Sequence, residues 1–119
     1  MVQLLLLVLL LHQPLELVAE GVASYYTVES SGPTTASGEP MRNDAFTCAL
    51  PDGEFGSYCL VVAENGKAVL CRVNDRGPYV KGRVIDLSEA AMRQLDKKAG
   101  TLRVRVYQVR GLDISELLS

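Results

Sequence analysis

"RVNDRGPYVKGRVIDLSEAAMRQL" occupies residues 72–95. Arg72 and Val73 continue an alternating apolar run, and then Asn74, Asp75, Arg76, Gly77 and Pro78 arrive together. They bring a carboxylate, a guanidinium, a residue free in φ and a residue without an N–H donor, none of which suits a strand interior. The segment therefore reads as a strand end that turns sharply and carries polar chemistry. Beyond it, residues 82–87, "GRVIDL", read as another strand, and residues 88–98, "SEAAMRQLDKK", place Ala91, Met92 and Leu95 at helical spacing. Ser88 or Asp86 serves as the N-cap and Gly100 as the stop, and Asp86 with Glu89 fits a capping box. Asp86 is expected to cap this helix rather than to react.

On the N-terminal side the pattern is mostly β. Residues 57–75 hold Asn65-Gly66 between two β-rich arms, a hairpin signal. A three-residue loop with Gly66 in the left-handed region pairs Val61 with Val69 and Cys59 with Cys71. That register gathers Cys59, Val61, Val69, Cys71 and Val73 on one apolar face, whereas a two-residue loop would move Cys71 to the other face. Residues 21–28 and 45–50 read as strands, and 101–109 alternates Leu102, Val104 and Val106 against Arg103, Arg105 and Tyr107. Residues 29–44 are dense in Ser, Thr, Gly and Pro and read as one long loop, a length usually reserved for function. Many short strands with one helix argue a small, mostly antiparallel all-β barrel.

The chain of 119 residues makes one small domain, and 12 basic against 14 acidic side chains give a net charge of −2 that speaks against nucleic-acid binding. The unbroken apolar run at residues 4–11 is too short to span a bilayer, which needs ~20 residues. With Ala19 available for cleavage it reads as a secretory signal over residues 1–19, ahead of a domain over 20–110 and a tail over 111–119. Removing that signal removes His12, the only histidine. A Ser–His or Cys–His nucleophile pair and a His-ligated zinc site are then excluded, leaving Asp, Glu, Tyr or Lys for acid–base work. Three cysteines, Cys48, Cys59 and Cys71, suggest one disulfide and one buried thiol in an exported protein, with Cys59–Cys71 the candidate bridge. The alternative is three small buried hydrophobes. Lacking a CxxC pair, they offer no metal site.

"GVASYY" (21–26), "TTASGEPM" (34–41) and the 72–95 segment, in that order, resemble the rare lipoprotein A-like (RlpA-like) domain. The likeness runs from about Gly21 to Val109. It implies a six-stranded double-psi β-barrel with one short helix, as in septal peptidoglycan lytic transglycosylases, expansins and barwin. Those transglycosylases cleave the β-1,4 bond between N-acetylmuramic acid and N-acetylglucosamine without water. One carboxyl group protonates the bridging oxygen, and its conjugate base helps the C6 hydroxyl attack, which leaves a 1,6-anhydro end. By resemblance Asp75 of "NDRGP" and Glu39 of "TASGE" are the catalytic pair, with Arg76 or Arg83 orienting Asp75. Tyr25, Tyr26, Thr35, Ser37, Arg76 and Arg83 are candidate substrate contacts. The family's histidine, in a "TAAHxxLP"-like stretch, meets "TCALPD" here and is read as Leu50, and Thr27 follows the aromatic pair where a glycine is common.

Three functions follow. The first is an exported, periplasmic or secreted lytic transglycosylase acting on peptidoglycan, monomeric, without cofactor, and off the membrane once the signal is removed. The second is a non-catalytic, expansin-like module binding peptidoglycan or a related cell-wall polysaccharide, favoured by Leu50. The third is a secreted protein-binding barrel such as a protease inhibitor.

Overall fold

The computed structural model describes residues 15–109. The apolar run at 4–11, His12 and the tail from residue 111 lie outside the described residues. Six strands close into a barrel: β1 (Leu15–Tyr26), β2 (Thr47–Ala49), β3 (Tyr58–Ala63), β4 (Ala68–Asp75), β5 (Arg83–Ser88) and β6 (Leu102–Val109). Around the barrel they run β1-β5-β2-β4-β3-β6. Neighbours in space are rarely neighbours in sequence. The β1–β5 and β2–β4 pairs are parallel and the other four are antiparallel, so the barrel is mixed but, as expected, mostly antiparallel.

The hairpin carries the expected register. Cys59 faces Cys71 and Val61 faces Val69, with Gly66 at φ 86° in the turn. Alternation then sends Cys59, Val61, Val69, Cys71 and Val73 into the barrel interior, where they meet Ala23, Cys48, Ile85, Leu87, Val104 and Val106, all essentially inaccessible. Burying each of the larger side chains stabilises the fold by about 2 kcal/mol. The cysteines are free thiols, so the expected Cys59–Cys71 disulfide is corrected: the two are cross-strand partners without an S–S bond. Cys48 is held well above the ordinary thiol range by its hydrogen bonds with Cys59 and Cys71 and by complete burial.

Two helices are present among the described residues rather than one. The expected loop opens with a single turn, α1 (Val28–Ser31), capped by Thr27, whose hydroxyl accepts from the Ser30 amide. The second helix, α2 (Glu89–Leu95), packs Ala91, Met92 and Leu95 into the core. Its N-cap is Ser88, which accepts from the Ala91 amide. Its end falls at Leu95, ahead of Gly100, because the Asp96 carboxylate draws the Lys98 and Ala99 amides into a turn at 2.8 Å each. The first strand begins at Leu15, five residues before the expected domain start, with Leu15 opposite Val109 and Leu17 opposite Tyr107.

Candidate functional site

Strand alternation fixes which side chains leave the core. On β5, Ile85 and Leu87 point inward, so Asp86 points outward. On β1, Ala23 points inward and Ser24 outward, and on β2, Cys48 points inward and Ala49 outward. Ser24 is the register partner of Asp86, Asp86 of Ala49, and Ala49 of Asp75. These four residues form one row across β1, β5, β2 and β4. A serine and an alanine keep its floor low, and Asp75 and Asp86 flank the alanine two strand spacings apart, about 10 Å between backbones. Asp86 thus has a different place from the one expected. Ser88 caps α2, while the Asp86 carboxylate accepts from the Ser24 hydroxyl.

Asp75 reaches this row through a bulge. The pairing steps from Cys48 opposite Val73 directly to Ala49 opposite Asp75, which leaves Asn74 as an extra residue in β4. Without it, Asp75 would share the inward phase of Val73. The bulge re-aims the carboxylate onto the outer face. Directly after it, Gly77 takes φ 125°, a conformation costly for any residue with a Cβ. A Cβ there would also stand 3.7 Å from Asp86 Oδ2.

The Ser/Thr/Gly-rich loop is laid over the bulge. Asp75 Oδ1 accepts from the Ala36 amide at 2.9 Å and from the Arg76 amide at 2.9 Å. The Ser37 amide donates to the Asn74 carbonyl at 3.1 Å. Thr35 is buried and ties the loop to itself, its hydroxyl 2.9 Å from that of Ser37 and 3.0 Å from the Glu39 carbonyl. Thr35 and Ser37 therefore shape the loop from within.

Glu39 lies on the same loop but is not free. Arg72 grips both of its oxygens, Nη1 on Oε1 and Nη2 on Oε2, the latter at 2.8 Å. Those bonds, with help from Asn74, hold the Glu39 carboxyl below the usual carboxylate range. Glu39 stays ionised and is unsuited to donate a proton.

The expected orienting role of Arg76 and Arg83 is corrected. Arg76 touches Asp75 through its backbone amide, while its guanidinium turns away to the Gly53 carbonyl at 2.6 Å and lies 4.0 Å over the Phe55 ring. Arg83 stands exposed at the start of β5, its amide bonded to the Val80 carbonyl. Asp75 belongs to no ion pair among the described residues.

The tyrosines are placed apart. Tyr25 packs against the core beneath Arg93, whose guanidinium lies 4.8 Å from the ring centre. Tyr26 is 6% exposed, with its hydroxyl 2.8 Å from Thr47 Oγ1. Burial pushes the phenol far above its usual range, and the charge of Asp75 adds to that push. Neither ring offers an open face to a sugar.

The position read as replacing the histidine also changes. Aligned on the Leu50-Pro51 pair, the "HxxLP" pattern puts the histidine at Thr47, two residues along β2 from Ala49 of the carboxylate row. Leu50 is a buried core residue whose amide bonds the Asp75 carbonyl at 3.2 Å. Asp86, Ser24 and Thr47 are the site residues that sequence reasoning missed; for Asp86 and Ser24 the available signal was outward alternation on two strands.

A cavity of about 390 Å³ opens elsewhere, over β3 and β6, and is lined by Glu20, Glu64, Arg103 and Arg105 among others. Glu20 and Arg105 neutralise each other at 3.0 Å, and no member of the carboxylate row lines it.

The chain is similar to known proteins. A sequence profile of the family described as lytic transglycolase matches residues 18–106. The probable endolytic peptidoglycan transglycosylase RlpA of Treponema pallidum is 45% identical over 94 residues, which cover 77% of this chain and 30% of that protein. The endolytic peptidoglycan transglycosylase RlpA of Neisseria meningitidis serogroup B is 39% identical over 100 residues, covering 82% of this chain and 42% of its own length. The chain thus spans less than half the length of these relatives. Among solved structures, the apo expansin of Clavibacter michiganensis superposes with a TM-score of 0.61 at 25% identity, over 79% of this chain and 51% of that one. A Streptomyces papain inhibitor shares the fold, with a TM-score of 0.57 at 23% identity, over 76% and 92%. Double-psi barrel, bulged "NDRGP" strand end and profile match agree: the chain belongs to the RlpA-like lytic transglycolase family.

Proposed function

We propose that this domain acts outside the cytoplasm as a peptidoglycan lytic transglycosylase, cleaving the bond between N-acetylmuramic acid and N-acetylglucosamine to leave 1,6-anhydro ends. The row Ser24–Asp86–Ala49–Asp75 carries the reading. It sets two carboxylates two strands apart with only the small Ala49 between them. Both amide bonds to Asp75 fall on Oδ1, so Oδ2 is left for chemistry. The Asp75 carboxyl gives its proton to the bridging oxygen as the C1–O bond breaks. The same carboxylate then takes the proton of the C6 hydroxyl as that oxygen bonds C1, which returns the site to its starting state. Asp86, fixed by Ser24, holds sugar hydroxyls. Glu39 acts at one remove, by fixing Arg72 and the loop that donates to Asp75.

The test is incubation of the protein with peptidoglycan stripped of stem peptides, followed by mass spectrometry for anhydro ends. Wild type forms them and Asp75→Asn does not. If wild type forms none, turnover is refuted. A second reading, an expansin-like module that binds wall glycan without cleaving it, is favoured by Thr47 in the histidine's place. It predicts that wild type and Asp75→Asn both pellet with the glycan and that neither releases product.

A further inference from the structure

Tyr26 is buried and Tyr25 is half-buried beneath Arg93, so a more open ring suits sugar stacking better. Tyr79 is 80% exposed and follows the bulged turn directly, and Val80 beside it is 56% exposed. The backbone ties this ring to the carboxylate row. Gly77 lacks a Cβ, and Tyr79 Cε2 and Asp86 Oδ2 both lie within 4 Å of the point that a Cβ would occupy. The turn at Gly77 therefore brings an aromatic edge and a carboxylate close to one point. That combination suits a pyranose: the C–H face lies on a ring while a neighbouring carboxylate accepts from its hydroxyls. A flat aromatic surface that stays wet in the free protein also gives up little on being covered.

Resting on the proposed glycan site, we infer that Tyr79 is the stacking platform of that site, holding the sugar unit next to Asp86. Substrate contacts at this end of the row come from the loop after the bulge, and the Tyr25-Tyr26 pair on β1 serves packing. The platform needs a ring rather than a hydroxyl, and its loss acts on binding first.

The experiment measures pelleting of the full chain with peptide-stripped peptidoglycan over a concentration series, for wild type, Tyr79→Ala, Tyr79→Phe and the remote exposed Leu17→Ala. Tyr79→Ala should weaken binding about tenfold, the effect of losing one aromatic contact. Tyr79→Phe and Leu17→Ala should bind as wild type does, and melting temperatures should agree within error because position 79 is exposed. The inference is overturned if Tyr79→Ala binds like wild type, or if Tyr79→Phe loses as much as Tyr79→Ala. Wild-type binding in those cases leaves the glycan reading intact. If wild type itself neither pellets nor releases anhydro ends, the glycan reading and the platform fall together.

Discussion

Replacing Glu39 by Gln and Arg72 by Met, singly and together, isolates the clamp that holds the loop beside Asp75. Glu39→Gln keeps the shape but removes the charge that draws both guanidinium nitrogens. The paired side chains retain about a third of their accessible surface, 33% for Arg72 and 36% for Glu39, so water and salt screen the interaction. Exposed pairs couple by roughly 0.2–1 kcal/mol, and the two-pronged geometry puts this one at the upper end, about 1 kcal/mol. Urea unfolding of the four proteins in a double-mutant cycle measures that coupling. The pH dependence has a definite sign. Arg72 holds the Glu39 carboxyl below its usual 4.5, and a depressed carboxyl adds stability above its unfolded-state value. The coupling should therefore be full at neutral pH and fade as pH falls below 4.5 through the folded-state value. A coupling under roughly 0.3 kcal/mol at neutral pH, or one that persists in strong acid, would refute the clamp.

Ser88→Ala should destabilise the fold by about 1–2 kcal/mol in the same unfolding assay, because its hydroxyl oxygen accepts from both the Ala91 and Thr47 amides. Asp86→Asn should cost clearly less, because the partner of Asp86 is the Ser24 hydroxyl and not an α2 amide. A thiol reagent should label none of the three cysteines in the native protein and all three in denaturant without prior reduction. Finding only one reactive thiol in denaturant would show a bridge.

Local patterns carried the hairpin far, since Asn65-Gly66 and the Cys/Val alternation both act within a few residues of the chain. The long loop was visible as loop through its Ser, Thr and Gly content, and Asp75 stood out because its neighbours break strand rules. Asp86 was misread for a physical reason. Its local partner, Glu89, sits at capping distance, whereas its actual partner, Ser24, lies 62 residues away and meets it only through parallel pairing. The Asn74 bulge was equally hidden, because a bulge is defined against the partner strand, and β2 becomes that partner only in the closed barrel. Arg76 misled because adjacency suggested that it orients Asp75, yet Phe55 and the Gly53 carbonyl claim the guanidinium. Alternation separated Tyr25 from Tyr26 but could not say that Tyr26 is buried and Tyr25 half-buried beneath Arg93.

The row at residues 24, 86, 49 and 75 draws one member from each of four strands, and its order in space scrambles its order along the chain. The complete row therefore needs the chain from residue 24 to residue 86 folded together. Such non-local topologies gain their contacts late, after long stretches of chain have been closed into loops. The proposed glycan cleavage should therefore emerge only in the last phase of refolding, later than any signal from the hairpin alone.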